Sequence, residues 1–200
     1  HKSYGSLQVL KGVDLESLSS ENDSIVGSAG AGKSTLLHIL GTLAHPDQGT
    51  LEMDGKMLLN LKGEELAKFR NERIGFIFQF HNLLPEFTAQ ENIMIPGLIG
   101  NISPEKLNKK SGELAELLGI SHRLDHKPST LSGGEQQRVA VARALINSPA
   151  VVFADEPSGN LDTQNAKGLH ELFFTLRKEL GQAFVIVTHN EELAEMADRK

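Results

Sequence analysis

The run Gly27-Ser28-Ala29-Gly30-Ala31-Gly32-Lys33-Ser34-Thr35 fits the spacing GxxxxGK[ST], between a short apolar run and a helical pattern. Glycines at these intervals let backbone N–H groups curl around phosphate oxygens. Lys33 brings a point charge to the β- and γ-phosphates of a nucleotide, and the Ser34 hydroxyl is a hard oxygen ligand for Mg²⁺. The bland alternative, a glycine-rich strand-to-helix turn that binds nothing, fits the combined strand, loop and helix context poorly. A second constellation is Val151-Val152-Phe153-Ala154-Asp155-Glu156, an apolar strand that ends in two carboxylates. A buried strand delivers such a pair to the ligand crevice at its C-terminal end. Asp155 is placed to hold Mg²⁺, directly or through water, and Glu156 to polarise an attacking water as general base. Alone, the pair could equally cap the following helix; beside the phosphate loop that reading is minor.

A third run, Leu131-Ser132-Gly133-Gly134-Glu135-Gln136-Gln137-Arg138, opens a helix with a Ser-Gly-Gly turn. Unpaired N–H groups at a helix start form an anion-binding surface. Two such surfaces in one small chain suggest that two copies share each nucleotide.

The elements that must position these residues read as α/β. Leu7–Leu15 alternates like a strand, and Ser24-Ile25-Val26 is a short apolar run before Gly27. Lys33–Leu43 has a broad apolar helical face. Thr50–Met53 and Ile74–Phe78 are strand candidates. Thr88-Ala89-Gln90-Glu91 is a capping box, so a helix starts there, and Pro96-Gly97 is expected to end it. Residues 104–118 and Val139–Ile146 read as helices, Val151–Phe153 as a buried parallel strand, Asp162–Leu180 as a helix with one apolar stripe, and Phe184–Val187 as the next strand. The first and last thirds are thus α/β and residues 80–130 mainly helical.

Two hundred residues suffice for one domain with a real core; 39% are hydrophobic and 23% charged, which argues against disorder. The net charge of −6 disfavours general attraction to nucleic acid. With no cysteine, disulfides and thiolate metal sites are excluded. No apolar run reaches the roughly 18–20 residues of a membrane helix, and no signal peptide is evident, so a cytoplasmic address is expected, with any membrane association through a partner.

Taken in order and spacing, the three runs resemble the ATP-binding cassette (ABC) ATPases over essentially the whole chain. Leu131–Glu135 is similar to the family signature and Val151–Glu156 to its Walker B strand. Gln79, after Ile74–Phe78, resembles the Q-loop glutamine that touches Mg²⁺ and water and senses the partner. Ser158-Gly159-Asn160-Leu161-Asp162 resembles the D-loop. His189 in Thr188-His189-Asn190 resembles the switch histidine, and Tyr4 the aromatic that stacks on adenine. The resemblance implies a P-loop fold with a mostly parallel core sheet, an N-terminal antiparallel β portion and a helical subdomain at about 80–131 between core segments 1–79 and 132–200. It implies a head-to-tail homodimer in the ATP state, in which Ser132, Gly133 and Gly134 of one copy meet the γ-phosphate held by Lys33 of the other. Gln79-Phe80-His81-Asn82-Leu83-Leu84-Pro85-Glu86-Phe87-Thr88 resembles the lipoprotein-releasing members, where this segment faces integral-membrane permease subunits. Macrolide-efflux and cell-division cassettes share most of these residues. The resemblance places such a protein on the cytoplasmic face of the bacterial inner membrane.

Some residues depart from the family pattern. Ala29 stands where the family usually has serine, removing a hydroxyl but not the backbone cradle. Ser20-Glu21-Asn22-Asp23 stands where Gly-Glu and two apolar strand residues are usual, and Asn22 and Asp23 are poor strand formers. Since the sequence opens just before Tyr4 and closes at Lys200, the usual terminal strands are expected to be trimmed. An ABC ATPase of DNA repair would carry a long coiled-coil insertion, yet Leu131 follows Gln79 by only 52 positions. A binding module without turnover is disfavoured by the presence of both Glu156 and His189. His122 and His126 share an i, i+4 spacing but sit in a charged, solvated context. His81 suits either a surface loop or a partner contact. Phe80, Leu83, Leu84 and Phe87 suit either the subdomain core or an exposed docking patch.

Overall fold

The computed structural model describes residues 1–17, 21–28 and 30–200. An antiparallel hairpin, β1 (Lys2–Tyr4) and β2 (Leu7–Leu10), leads to β3 (Asn22–Ile25) and α1 (Lys33–Leu40). A second hairpin, β4 (Glu52–Met53) and β5 (Lys56–Met57), precedes α2 (Gly63–Arg73) and β6 (Ile74–Phe78). Helices α3 (Ala89–Ile99), α4 (Pro104–Leu117) and α5 (Gly133–Leu145) follow, then β7 (Val151–Asp155), α6 (Thr163–Leu180), β8 (Ala183–Val187) and α7 (Glu191–Glu195).

The central sheet has the order β3-β8-β7-β6 and is parallel throughout. Its register matters for the chemistry. Phe78 pairs with Asp155, Asp155 with Val187, and Val187 with Ile25. All four strands therefore end in one row, so Gln79, Glu156, His189 and the loop starting at Gly27 leave the sheet along the same edge. In an open parallel sheet this edge is where ligands bind.

Alternate residues of the central strands enter two apolar layers. Val152, Ala154, Phe184 and Ile186 join Ile77 and the buried faces of α3, α4, α5 and α6. Val151, Phe153, Val185 and Val187 join Leu37, Leu58, Phe69 and Ile74 on the other side. Burial on both faces is the reason these strands are continuously apolar.

Several boundaries differ from the sequence reading. The strand expected over Leu7–Leu15 stops at Leu10, because Gly12 turns the backbone to φ +87° and leaves Val13 and Leu15 exposed. Helix α1 ends at Leu40 rather than Leu43, since Gly41 packs against the Phe76 ring and Thr42 takes φ +59°. Pro96-Gly97 does not end α3, which runs to Ile99. Gly97 lets α4 approach so closely that a Cβ there would lie 2.2 Å from a Leu107 methyl. That packing offsets the hydrogen bond the proline removes. Helix α5 starts at Gly133, six residues before its apolar pattern, on a complete capping box.

Asn22 and Asp23 do form a buried strand. Its ladder to β8 on one side is complemented on the other, where the Asn22 N–H donates to the Asp198 carboxylate (2.9 Å) and the Ser24 N–H to the Arg199 carbonyl (2.9 Å). Backbone pairing on both edges overrides propensity here. Ser20 and Ala29 lie outside the described residues. Helices α2 and α7 were not anticipated: α2 buries only Leu66 and Phe69, too few to show a period.

Candidate functional site

The phosphate loop sits where β3 hands over to α1. Gly30 and Gly32 take left-handed backbone conformations (φ +79° and +88°), which any other residue would occupy with strain. A Cβ on Gly32 would also lie 2.8 Å from a Val9 methyl, so the glycine brings the first hairpin against the start of α1. Tyr4 is on that hairpin, 55% exposed, with the Lys2 ammonium 5.4 Å from its ring centre. The carboxylate of Asp47, downstream of α1, anchors the hairpin by accepting from Lys2 Nζ (2.9 Å) and the Ser3 N–H (2.6 Å). These bonds hold the Asp47 carboxyl below the usual carboxylate range.

The Lys33 ammonium folds back over the loop and donates to the carbonyls of Gly27 (2.8 Å) and Ser28 (3.0 Å). Its neighbour Ser34 donates from Oγ to Asp155 Oδ1 at 3.0 Å, across 121 positions of sequence. Two of the three residues assigned to the metal from sequence, Ser34 and Asp155, are thus side by side, whereas the side chain of the third, Gln79, bonds to Asn160. One hydroxyl and one carboxylate at a helix start are hard oxygen donors of the kind Mg²⁺ takes alongside phosphate oxygens and water. Among the described residues no group of three His, Cys, Asp or Glu side chains is placed to hold a metal ion.

Glu156 follows directly on β7 with φ +46°, an uncommon conformation for a residue with a side chain, fixed by its N–H donating to the Val187 carbonyl (2.9 Å). The turn aims its carboxylate at the end of β8. There Oε2 lies 2.9 Å from His189 Nδ1 and accepts a longer bond from the His189 N–H (3.3 Å). The general base and the switch histidine expected from sequence are in contact.

Gln79 is placed differently. Its side-chain amide donates to Asn160 Oδ1 (3.1 Å), and the Asn160 amide donates back to the Gln79 carbonyl (3.1 Å). This reciprocal clasp joins the segment after β6 to the loop after β7, with Gly159 so close that a Cβ would lie 2.9 Å from the Gln79 amide nitrogen. Gln137, fully buried on α5, reinforces the junction by donating to the Pro157 carbonyl (2.7 Å). Neither Asn160 nor Gln137 was singled out from sequence. A lone buried amide leaves no periodic signal, and Asn160 was visible only as a member of its motif.

Ser132, Gly133 and Gly134 open α5. The Ser132 N–H and hydroxyl both donate to Glu135 Oε2 (2.8 and 2.9 Å), and the Glu135 N–H donates to Ser132 Oγ (3.3 Å). The Ser132 N–H bond, with Arg123 Nε 2.7 Å from Oε1, holds the Glu135 carboxyl down at about 2. Ser132 and Gly133 are exposed, whereas Gly134 packs on α6. Within one chain, no hydrogen bond among the described residues joins this turn to the phosphate loop.

In the 79–88 segment, Leu83 packs on the core while Phe80, Leu84 and Phe87 are exposed, Phe80 at 69%. Arg143 on α5 donates to the carbonyls of His81 and Asn82 (2.8 Å each), fixing this loop. Burial and the nearby Arg143 charge both push the His81 basicity down. No helix among the described residues is long and apolar enough to cross a membrane.

Comparison with known proteins bears on this arrangement. The ABC transporter family matches residues 10–159. The chain is 60% identical over 198 residues to the lipoprotein-releasing system ATP-binding protein LolD of Bacteroides thetaiotaomicron, covering 99% of this chain and 91% of that protein. It is 57% identical to the LolD protein of Cytophaga hutchinsonii, covering 100% and 91%. Among solved structures, it is similar to the dimeric structure of MJ0796, a bacterial ABC transporter cassette, with a TM-score of 0.86, 39% identity, and coverage of 95% of this chain and 84% of that one. A dimeric post-hydrolysis state of the same cassette, bound to ADP and Pi, gives a TM-score of 0.85 at 38% identity, with the same coverage.

Proposed function

We infer the following from the premise that the chain belongs to the ABC transporter family: it is the ATPase subunit of a lipoprotein-releasing complex. The observation that carries hydrolysis is the row of strand ends, where Ser34 touches Asp155 and Glu156 touches His189. The identity to LolD proteins along nearly the whole chain carries the choice of system.

In this reading the loop N–H groups from Gly27 to Thr35, with Ser28, Ala29, Gly30, Ala31 and Gly32 between, cradle the phosphates of ATP. Lys33 leaves the carbonyls of Gly27 and Ser28 for the β- and γ-phosphates, and Tyr4 stacks on adenine. Ser34 and Asp155, joined by Gln79, would hold Mg²⁺, which supplies charge neutralisation on the phosphate oxygens. The Glu156 carboxylate takes the proton of the attacking water. His189 holds that carboxylate in place and contacts the γ-phosphate region. Gln79 is clasped to Asn160, so reaching the metal requires that clasp to loosen; the segment 79–88 would thereby be linked to the nucleotide.

Two copies assemble head to tail in the ATP state. The Ser132-Gly133-Gly134 turn of each faces the γ-phosphate held by the other. Hydrolysis removes that shared contact and opens the homodimer. The exposed Phe80, Leu84 and Phe87 dock the helical subdomain, about residues 80–131, to integral-membrane permease subunits. The protein then sits peripherally on the cytoplasmic face of the bacterial inner membrane, and nucleic acid has no part.

The test is Glu156→Gln. A general base contributes about 10²–10⁴-fold, so hydrolysis falls by that order while ATP binding persists and gel filtration shows an ATP-dependent dimer. A variant that stays monomeric with saturating ATP would falsify the shared site. Membrane subunits of a lipoprotein-releasing complex that fail to change the ATPase rate of the wild-type chain would refute the choice of system.

A further inference from the structure

Helix α6 buries a stripe of Leu169, Leu172, Phe173 and Leu176, and its one polar member is His170, 2% exposed. A buried imidazole is costly unless its N–H is bonded. Nε2 lies 3.0 Å from Ser158 Oγ, whereas Nδ1 is buried with no partner. A neutral ring carries one donor and one acceptor nitrogen, and a bare acceptor costs less than a bare N–H. The proton is therefore on Nε2, and His170 donates to Ser158. Burial pushes the basicity of His170 down, against a smaller opposing effect of the Glu192 carboxylate, so the ring stays neutral near pH 7.

The consequence lies at Ser158. Its oxygen accepts from His170, so its own proton is free to donate elsewhere. Ser158 and His170 line a cavity of about 190 Å³ together with Glu156, Thr188 and His189, and the charged groups facing it also include Lys167 and Glu192. Ser158 belongs to the same tight turn as Glu156: the Gly159 N–H donates to the Glu156 carbonyl (3.0 Å), and the Leu161 N–H to the Ser158 carbonyl (3.1 Å). A displacement of Ser158 reaches Glu156 through two peptide units.

We propose that His170 is a positioning residue for ATP hydrolysis: acting through Ser158, it fixes the turn that carries Glu156 and keeps the Ser158 hydroxyl a donor toward the cavity shared by Glu156 and His189. This rests on Glu156 being the general base. A histidine that merely fills the core would be replaced by phenylalanine at no cost to the reaction, which separates the two roles.

The experiment measures steady-state ATP hydrolysis of the full chain for His170→Phe, His170→Gln, Ser158→Ala and the double variant His170→Phe/Ser158→Ala. Loss of one positioning hydrogen bond lowers kcat by about 5–10-fold. The expected result is that drop in both His170→Phe and Ser158→Ala, with KM for ATP within about twofold, and no further loss in the double variant. His170→Gln, whose amide nitrogen reaches about as far as imidazole Nε2, restores most of the rate. Nitrogen NMR of the wild-type chain at neutral pH shows the Nε2–H tautomer at His170, with a titration midpoint below that of a free imidazole. Additive losses, a wild-type rate in Ser158→Ala, a KM that moves with kcat, or an Nδ1–H tautomer would each overturn the proposal. Should His170→Phe fail to fold, the Ser158→Ala rate and the tautomer still decide it. Retained hydrolysis in Glu156→Gln instead overturns the assignment of the base, leaving the tautomer and the non-additivity to stand on their own.

Discussion

Helix α1 begins at a left-handed Gly32 with no side chain on its first-turn N–H groups and no acidic residue there, whereas helix α5 begins at Ser132 with a complete capping box closed by Glu135. Both starts are glycine-rich turns, and both were read from sequence as places for phosphate. The difference is in who satisfies the N–H groups. At α1 they are left for an outside acceptor, with Lys33 poised over the same loop. At α5 the Ser132 N–H is taken by Glu135 and the Glu135 N–H by Ser132. What remains to offer a ligand is the exposed backbone at Gly133, beside the buried Gly134. An open start suits a nucleotide that the chain binds by itself. A capped start keeps its shape without a ligand and suits a contact made only when a second copy arrives.

Variants at the two starts should therefore fail in different assays. The largest effect belongs to Lys33→Ala, which removes the charge from the open start. A charge-assisted contact is worth up to about 3 kcal/mol, so ATP affinity of the isolated chain falls by about 100-fold in equilibrium titration. An affinity that stays near wild type would mean that the backbone alone holds the phosphates. Gly134→Ala strikes the capped start. Its Cβ would lie 2.5 Å from Asn165 Oδ1, and Asn165 is itself held by Asp162 at the start of α6. Helix α5 has to shift from α6, so ATP-dependent dimerisation and hydrolysis weaken by about 10-fold, or about 1.4 kcal/mol. Affinity of the isolated chain for ATP should not move. A joint fall of affinity and dimerisation would erase the distinction drawn between the two helix starts.

Much of this contrast was legible in the residues themselves. The phosphate loop, the carboxylate pair and the strand Ile74–Phe78 carry strong local patterns, because burial on both faces forces long apolar runs and phosphate binding forces glycine spacing. At α5 the Ser-Gly-Gly run marks the helix start, whereas the apolar period begins only at Val139. The first six residues, Gly133 to Arg138, are too polar to show a period, and the cap rather than the pattern sets the boundary. The same applies to α2, and conversely to Pro96, where packing of Gly97 on Leu107 carries the helix through an apparent stop. The clasp between Gln79 and Asn160 and the tie from Gln137 join residues 81 and 20 positions apart. Such bonds leave no trace in composition or spacing. They follow from strand register, which local sequence does not encode.

The smallest predicted effect tests whether the capped start is stable by itself. Glu135 accepts from the Ser132 N–H and hydroxyl, lies against Arg123, and has its carboxyl lowered from 4.5 to about 2. A depressed acid stabilises the fold above its unfolded value, and that contribution is lost as pH falls from about 4.5 through about 2. Glu135→Gln keeps an acceptor for the cap but removes the charge that Arg123 and the helix start favour. At pH 7 the variant should be less stable by about 1 kcal/mol, lowering Tm by about 2–4 °C for a chain of this length. The gap should narrow as pH falls below about 4.5, because protonation then strips the same charge from the wild type. Thermal melts of both chains across this range, without nucleotide, make the measurement. A gap that persists unchanged to about pH 2 would locate the loss in the cap geometry instead of the charge. In that case the hydrogen bonds between Ser132 and Glu135, not the charge of the carboxylate, hold the first turn of α5 without a ligand.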